Sequence, residues 1–158
     1  MATFYNTSAE QAVLAQHLGI RVDRAIDTLP QTAAEDLFTV IGGRILMTCI
    51  VGEVTTVLGA VGNLTLEHNP TAAGTTTAIS TAAAGGALEA GSLISIEGTA
   101  ATATTLAVGG AVAIQSKPLA VTPGTIAVRT SASDTGSVKW SLWYIPIDDG
   151  AYVTATTI

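Results

Sequence analysis

Val138-Lys139-Trp140-Ser141-Leu142-Trp143-Tyr144-Ile145-Pro146-Ile147 is the stretch that decides the fold. Val138, Trp140, Leu142 and Tyr144 fall on one side of it, Lys139, Ser141, Trp143 and Ile145 on the other. A period of two residues is that of a β-strand, and it sends the two tryptophans to opposite faces. Trp140 is then a core residue. Trp143 is left for an interface or for cover by another element, and aromatic enrichment at interface centres favours the interface. Pro146 has no N–H for a ladder, which places this end of the strand at an edge or a bulge.

Turn residues bracket the strand: Asp134-Thr135-Gly136 before it, and Asp148-Asp149-Gly150 after it, leading to a last short strand over 152–156. Upstream, Lys117-Pro118 breaks the chain, and 121–123 leads through Gly124 into 125–129, where Ile126 and Val128 share a face. Segments 93–99, 104–108 and 111–115 read as short strands, the last two joined by a Gly109-Gly110 hairpin. Residues 70–91 are low-complexity Thr, Ala and Gly, with one strand over 75–81 and a loop over 82–91. Residues 63–68 alternate, with Leu64 and Leu66 on one face, and 37–41 and 44–58 are rich in β-branched residues. Within 44–51, Ile45, Met47, Cys49 and Val51 oppose Leu46 and Ile50, so the strand is apolar on both faces. Its second face must meet a helix, a second sheet or a neighbouring subunit. Short strands at this spacing predict an all-β antiparallel sandwich or barrel, jelly-roll-like, over residues 36–158.

Residues 1–35 read differently, as an N-terminal arm with a short helix. Ser8 with Glu10 and Gln11 offers an N-cap, Ala12, Val13, Leu14, His17 and Leu18 give partial helical spacing, and Gly19 reads as a stop. Val22, Ala25 and Ile26 continue the pattern weakly up to Pro30. Phe4 and Tyr5 precede the helix in an arm with nothing local to pack on. Phe4, Tyr5, Leu14, Leu18 and Trp143 are therefore the candidate partner-binding residues.

Of the 158 residues only 11% are charged, where an ordinary soluble domain carries about 25%. Thr and Ala together make up about a third of the chain. Small, weakly polar side chains suit flat subunit contacts, because no charge has to be desolvated there. A net charge of −6 with only six basic residues lacks the surface that phosphate backbones require, so nucleic acid is not an expected partner. The most apolar run, 41–62, carries Arg44 and Glu53, which argues against a membrane span. The first eleven residues show neither a basic nor an apolar signal region, and Cys49 has no partner for a disulfide, so synthesis in a cytoplasm is expected. Asn6-Thr7-Ser8 and Asn63-Leu64-Thr65 match the glycosylation pattern, which has no use there.

Chemistry is hard to assemble from these residues. His17 and His68 lie in different elements, and a zinc site needs three or four ligands. Asp148 and Asp149 could hold calcium, but they read first as a turn, since hard-cation loops recruit several spaced carboxylates. No nucleophile elbow, phosphate loop or His-Glu-x-x-His motif occurs. The expectation is a non-enzymatic protein with no cofactor, no metal and no catalytic residue.

The stretch TGSVKWSLWYIPIDDGAYV (135–153), preceded by KPLAVTPGTIAV (117–128), resembles small virion structural proteins of tailed phages that infect actinobacteria. The resemblance covers the last quarter to third of the chain, and its motifs are structural. It implies a capsid decoration or cement protein at the virion surface, made in the host cytoplasm. Its partners would be the major capsid protein and further copies of itself, most simply as a homotrimer. The N-terminal arm would make the capsid contact. A tail-tube or minor tail protein, a head fibre or host-binding module using loops 82–91 and 100–104, and a cellular oligomeric module are the alternatives.

Overall fold

The computed structural model describes residues 18–59, 62–72 and 74–157. Among them the chain is all β, folded into two antiparallel sheets packed as a sandwich. The first sheet, A, runs in the order β1 (Ile20–Thr28), β11 (Ser137–Pro146), β3 (Ile45–Thr56), β7 (Leu93–Ser95) and β8 (Thr105–Ala107). A further short strand, β9 (Leu119–Val121), pairs with the start of β3. The second sheet, B, runs β12 (Tyr152–Ala155), β2 (Ala34–Ile41), β10 (Gly124–Thr130), β4 (Gly62–Pro70) and β5 (Thr77–Ala78). Beside β5, β6 (Ala83–Gly85) also pairs with β4.

Alternation along each strand supplies the core. Val138, Trp140, Leu142 and Tyr144 of β11 are all buried, as their period requires, and meet Ile50, Val54 and Met47 of β3 on the same side. From sheet B, Phe38, Leu64, Leu66, Ile126 and Val128 close the core. Trp140 is its largest side chain, and Gly52 stands directly beside it on β3. A Cβ on Gly52 would lie 2.8 Å from Cζ3 of the indole, so the ring occupies the space that any other residue would fill.

The apolar character of β3 on both faces has a specific origin. Trp143 pairs with Cys49 but Tyr144 pairs with Met47, so Thr48 is an extra residue, a β-bulge. The bulge switches the phase: Ile45 and Met47 point inward before it, Ile50 and Val54 after it. Leu46, Cys49 and Val51 point outward, beside Ile145, Trp143 and Ser141 of β11. The partner of β3 also changes, from β9 to β7, and the gap between them is bridged by a side chain: the Gln115 amide donates to the carbonyl of Met47 (3.2 Å) and to that of Lys117 (2.8 Å).

Three expectations are corrected. Residues 20–28 do not extend a helix; they form the edge strand β1, so the sandwich begins at Ile20 rather than Asp36. Their two-residue period is interrupted by a bulge between Arg24 and Asp27, which sets Ala25 and Ile26 off the ladder and mimics helical spacing. The remainder of the expected helical arm lies outside the described residues. Segment 111–115 is not a strand, and Gly109-Gly110 joins no hairpin: β8 has only β7 as a partner, and the chain leaves the sheet to bring Gln115 to β3. Over 75–81, only Thr77–Ala78 forms a strand, Thr81 makes an isolated bridge to Ala103, and part of the expected loop after it, Ala83–Gly85, is a strand.

One polar cluster joins the sheets. Arg24 faces inward beside Trp140, only 3% exposed, and its guanidinium binds Asp27 (2.9 Å) on its own strand and Glu35 of β2 in the opposite sheet. Burial, then a hydrogen bond with Asp27, pushes the Glu35 carboxyl above the usual glutamate range. Burial would raise Asp27 too, but its hydrogen bonds with Glu35 and Arg24 outweigh that and hold it below the usual range. Of the two, Glu35 is therefore the member that takes up a proton first as the pH falls.

Candidate interaction surface

The outer faces of the two sheets are unlike each other. On sheet B, Thr154, Thr39, Thr125 and Asn69 stand in one cross-strand row, with the ion pair Arg129–Glu67 (2.9 Å) further along. Such a face is finished by hydrogen bonds, as in the bond from Thr125 Oγ1 to Asp36 (2.7 Å). On sheet A, outward-pointing Ile145 stands beside Leu46, Trp143 beside Cys49, and Ser141 beside Val51, giving an apolar strip along β11 and β3.

Trp143 sits mid-strip, half-buried. Arg21 of β1 places its guanidinium carbon 5.3 Å from the centre of the indole ring, within cation–π range. The same guanidinium is held by Asp23 (2.8 Å), and the Ser141 hydroxyl donates to that carboxylate too (2.6 Å). Burial works to raise Asp23, but the Ser141 and Arg21 hydrogen bonds prevail and leave it below the usual aspartate range. An indole on the outer face is thus positioned by a fixed cation rather than left free.

Next to it, Cys49 is 2% exposed although it points away from the core. Burial pushes its thiol up, so at neutral pH it is an unreactive SH rather than a nucleophile. Leu18, half-buried, reaches this region as well: its carbonyl accepts a hydrogen bond from Thr48 Oγ1, the bulged residue, which also lies 3.2 Å from the carbonyl of Trp143. At the end of the strip, Ile145 and Ile147 are exposed. Of the five residues read as partner-binding, the structure brings Leu18 and Trp143 together here through Thr48; Phe4, Tyr5 and Leu14 lie outside the described residues.

Among the described residues most cations are engaged by carboxylates. Five of the six basic side chains are in ion pairs, including Arg44 with Asp148 (2.7 Å) and Lys117 with Glu97 (3.5 Å). Asp148 is therefore engaged by a guanidinium, its pKa drawn down to about 2 by the Arg44 side-chain and backbone donors. No group of three or more His, Cys, Asp or Glu side chains that could hold a metal ion occurs among the described residues. No helix among them is long and apolar enough to cross a membrane.

One feature was not visible in the sequence. Where β5 and β9 part, a cleft of about 290 Å³ opens between the sheets, lined by His68, Ile79, Ala100, Leu119 and Val121. His68 lies at its base with Nδ1 3.0 Å from the Thr125 carbonyl and Nε2 3.2 Å from Thr122 Oγ1. A carbonyl can only accept, so Nδ1 carries the proton and Nε2 accepts from the hydroxyl. Burial pushes the imidazole pKa down, keeping it neutral. Both nitrogens are occupied, so this histidine fixes the cleft wall rather than presenting a base. No sequence pattern marks the site, because its walls come from four separated segments.

No protein-family model, no curated protein and no solved structure matches this chain.

Proposed function

We propose that this is a non-enzymatic structural protein of a phage virion, acting as a capsid decoration protein that binds the major capsid lattice as an oligomer, most simply a homotrimer. The observation that carries the reading is the apolar strip on the outer face of sheet A, set on a chain with few charges and opposite a Thr-rich face. A strip with an indole at its centre is the composition of an interface core. Leu18 and Trp143 belong to this surface; Phe4, Tyr5 and Leu14, the other residues read as partner-binding, lie outside the described residues. Binding would be physical: each copy buries roughly 800 Å² per partner across capsid subunit boundaries, repeated by symmetry.

The strand order supports a finer reading of the fold. From β1 to β4 the chain changes sheet at every step, and the central orders β1-β11-β3-β7 and β2-β10-β4-β5 are those of an eight-stranded jelly roll. Jelly rolls recur in viral capsid proteins, although fold alone assigns no function. The capsid reading therefore rests on the surface and on the resemblance at residues 117–153.

The test is light scattering on the purified chain, followed by sedimentation with undecorated capsids. The expected result is a discrete trimer that pellets with capsids and no longer does so without residues 1–18. Rings or tubes would transfer the protein to a tail, and a monomer indifferent to capsids would overturn the proposal.

A further inference from the structure

The cleft between β5 and β9 carries an inference that does not depend on the capsid reading. β5 pairs with β4 through Thr77 and Ala78 alone, and β9 with β3 through Leu119, Ala120 and Val121, which leaves this end of the sandwich open. The walls of the opening are fixed by backbone contacts. Just past β5, the Ile79 N–H donates to the Leu66 carbonyl (2.9 Å). Opposite, the chain leaves β9 through Thr122 and Pro123 and crosses to sheet B. The Pro123 carbonyl accepts from the Thr71 N–H (2.9 Å), and Gly124 lies so close to β4 that a Cβ would collide with the Asn69 carbonyl oxygen. Thr122 therefore sits on a corner that is tied to the opposite sheet, and the cleft is formed before anything enters it.

What the cleft can take follows from its lining and from one hydroxyl. Ile79, Leu119 and Val121 supply apolar wall, and among the described residues no carboxylate, lysine or arginine lines it. A charged molecule would lose its hydration there with nothing to pair against, so the occupant is neutral. His68, 9% exposed, donates Nδ1–H to the Thr125 carbonyl, which leaves a lone pair on Nε2. The Thr122 hydroxyl must therefore be the donor to Nε2. With its hydrogen committed, Thr122 Oγ1 can only accept from a third group, and Thr122 is exposed and borders the cleft. The other hydroxyl of the lining, on exposed Thr77, keeps a rotatable hydrogen and selects neither donors nor acceptors. A cavity of about 150 Å³ holds benzene, so one of about 290 Å³ has room for roughly ten non-hydrogen atoms. We propose that the cleft binds a small neutral molecule with an apolar body and one O–H or N–H, which it donates to Thr122 Oγ1.

Indole and benzofuran provide the test, since they share a bicyclic shape and size that suit the cleft. Indole carries an N–H donor where benzofuran carries a ring oxygen that only accepts. The full chain is titrated with each while its assigned backbone amide signals are followed by NMR. Indole should give saturable shifts at Ile79, Ala100 and Val121. Benzofuran should bind there about fivefold more weakly or worse, because one hydrogen bond is lost and two acceptors face each other. In Thr122→Val, which keeps the shape of the side chain without its oxygen, the two molecules should bind about equally. No saturable shift at the cleft, equal affinities in the unsubstituted chain, or tighter binding of benzofuran would overturn the proposal. Shifts confined to the strip around Trp143 would do the same, by placing the binding on another face. A preference for indole that survives in Thr122→Val would show that its N–H is received elsewhere, which also overturns it. If Thr122→Val fails to fold, the imidazole nitrogen shifts of the unsubstituted chain decide: hydrogen on Nδ1 is required, and hydrogen on Nε2 would remove the acceptor on which the proposal stands.

Discussion

Replacing Arg24 with Met removes the one cation from a cluster that ties the two sheets together. The guanidinium is 3% exposed and contacts Asp27 of β1 and Glu35 of β2, whose side chains are 21% and 26% exposed. Methionine fills much of the aliphatic stem, so the loss is electrostatic rather than a cavity. Breaking a buried pair by deleting one partner costs about 3–5 kcal/mol, and partial hydration of both carboxylates brings the expectation to about 2–3 kcal/mol. At about 2–4 °C per kcal/mol for a chain of this size, the midpoint of thermal unfolding should fall by about 4–12 °C at pH 7.

The pH dependence separates this mechanism from a packing defect. In the wild type the Glu35 carboxyl lies above its ordinary value of 4.5, so its contribution to stability is present at low pH and lost as pH rises through the folded pKa. Asp27 is shifted the other way: its contribution is present above its ordinary value of 3.8 and lost as pH falls. Without Arg24, both carboxylates lose the only cation that holds them down, and both folded pKa values rise. The deficit of the variant should then shrink as pH falls from 7 toward 4.5. The assay is thermal unfolding followed by circular dichroism at several pH values. A variant as stable as the wild type at pH 7, or a deficit that does not change with pH, would refute the reasoning.

Two further outcomes follow from the two faces of β11 and from the turn after it. Trp140→Ala empties the centre of the core and should cost about 3–5 kcal/mol, whereas Trp143→Ala removes a half-buried ring on the outer face and should cost about 1–2 kcal/mol. Urea unfolding of both variants checks the order, and a reversed order would mean that the faces are assigned wrongly. Asp148, gripped by Arg44, should titrate near pH 2 when its carboxyl carbon is followed by NMR, and higher in Arg44→Ala, which keeps only the backbone donor. Because its pKa is depressed, its contribution to stability is present above pH 3.8 and disappears as pH falls through 2. A wild-type value near 3.8 would show that the ion pair does not hold in solution.

Strands whose alternation is unbroken could be read directly: β11, β4 and β10 stand close to where the two-residue period puts them, with Trp140 and Trp143 on opposite faces. The readings that failed are those where a bulge breaks the period. In β1 the bulge after Arg24 places Ala25 and Ile26 together, and a short window then resembles one turn of helix. In β3 both faces are apolar as read, but the bulge at Thr48 puts Cys49 and Val51 on the outer face and Ile50 in the core, so the residues grouped by an unbroken two-residue period are divided between the faces. Gly109-Gly110 failed for a different reason. A Gly pair permits a tight turn, but whether the segments beside it pair is decided by a distant strand, and β7 holds β8 while β3 holds Gln115.

The same distinction governs the surface. Trp143 could be singled out because a strand cannot bury both of its faces in one core, and that argument needs only the local period. Its setting could not be read, since Arg21, Ser141 and Cys49 meet it only through pairings of strands far apart in the sequence. The bulge at Thr48 joins the two levels. It frees a hydroxyl from the ladder to hold the Leu18 carbonyl, and it turns Cys49 and Val51 outward into the strip beside Trp143. One extra residue in β3 therefore both builds the apolar face and holds the Leu18 carbonyl. A substitution that removes the bulge would return Cys49 to the core face and push Ile50 out, which changes the surface as much as the core.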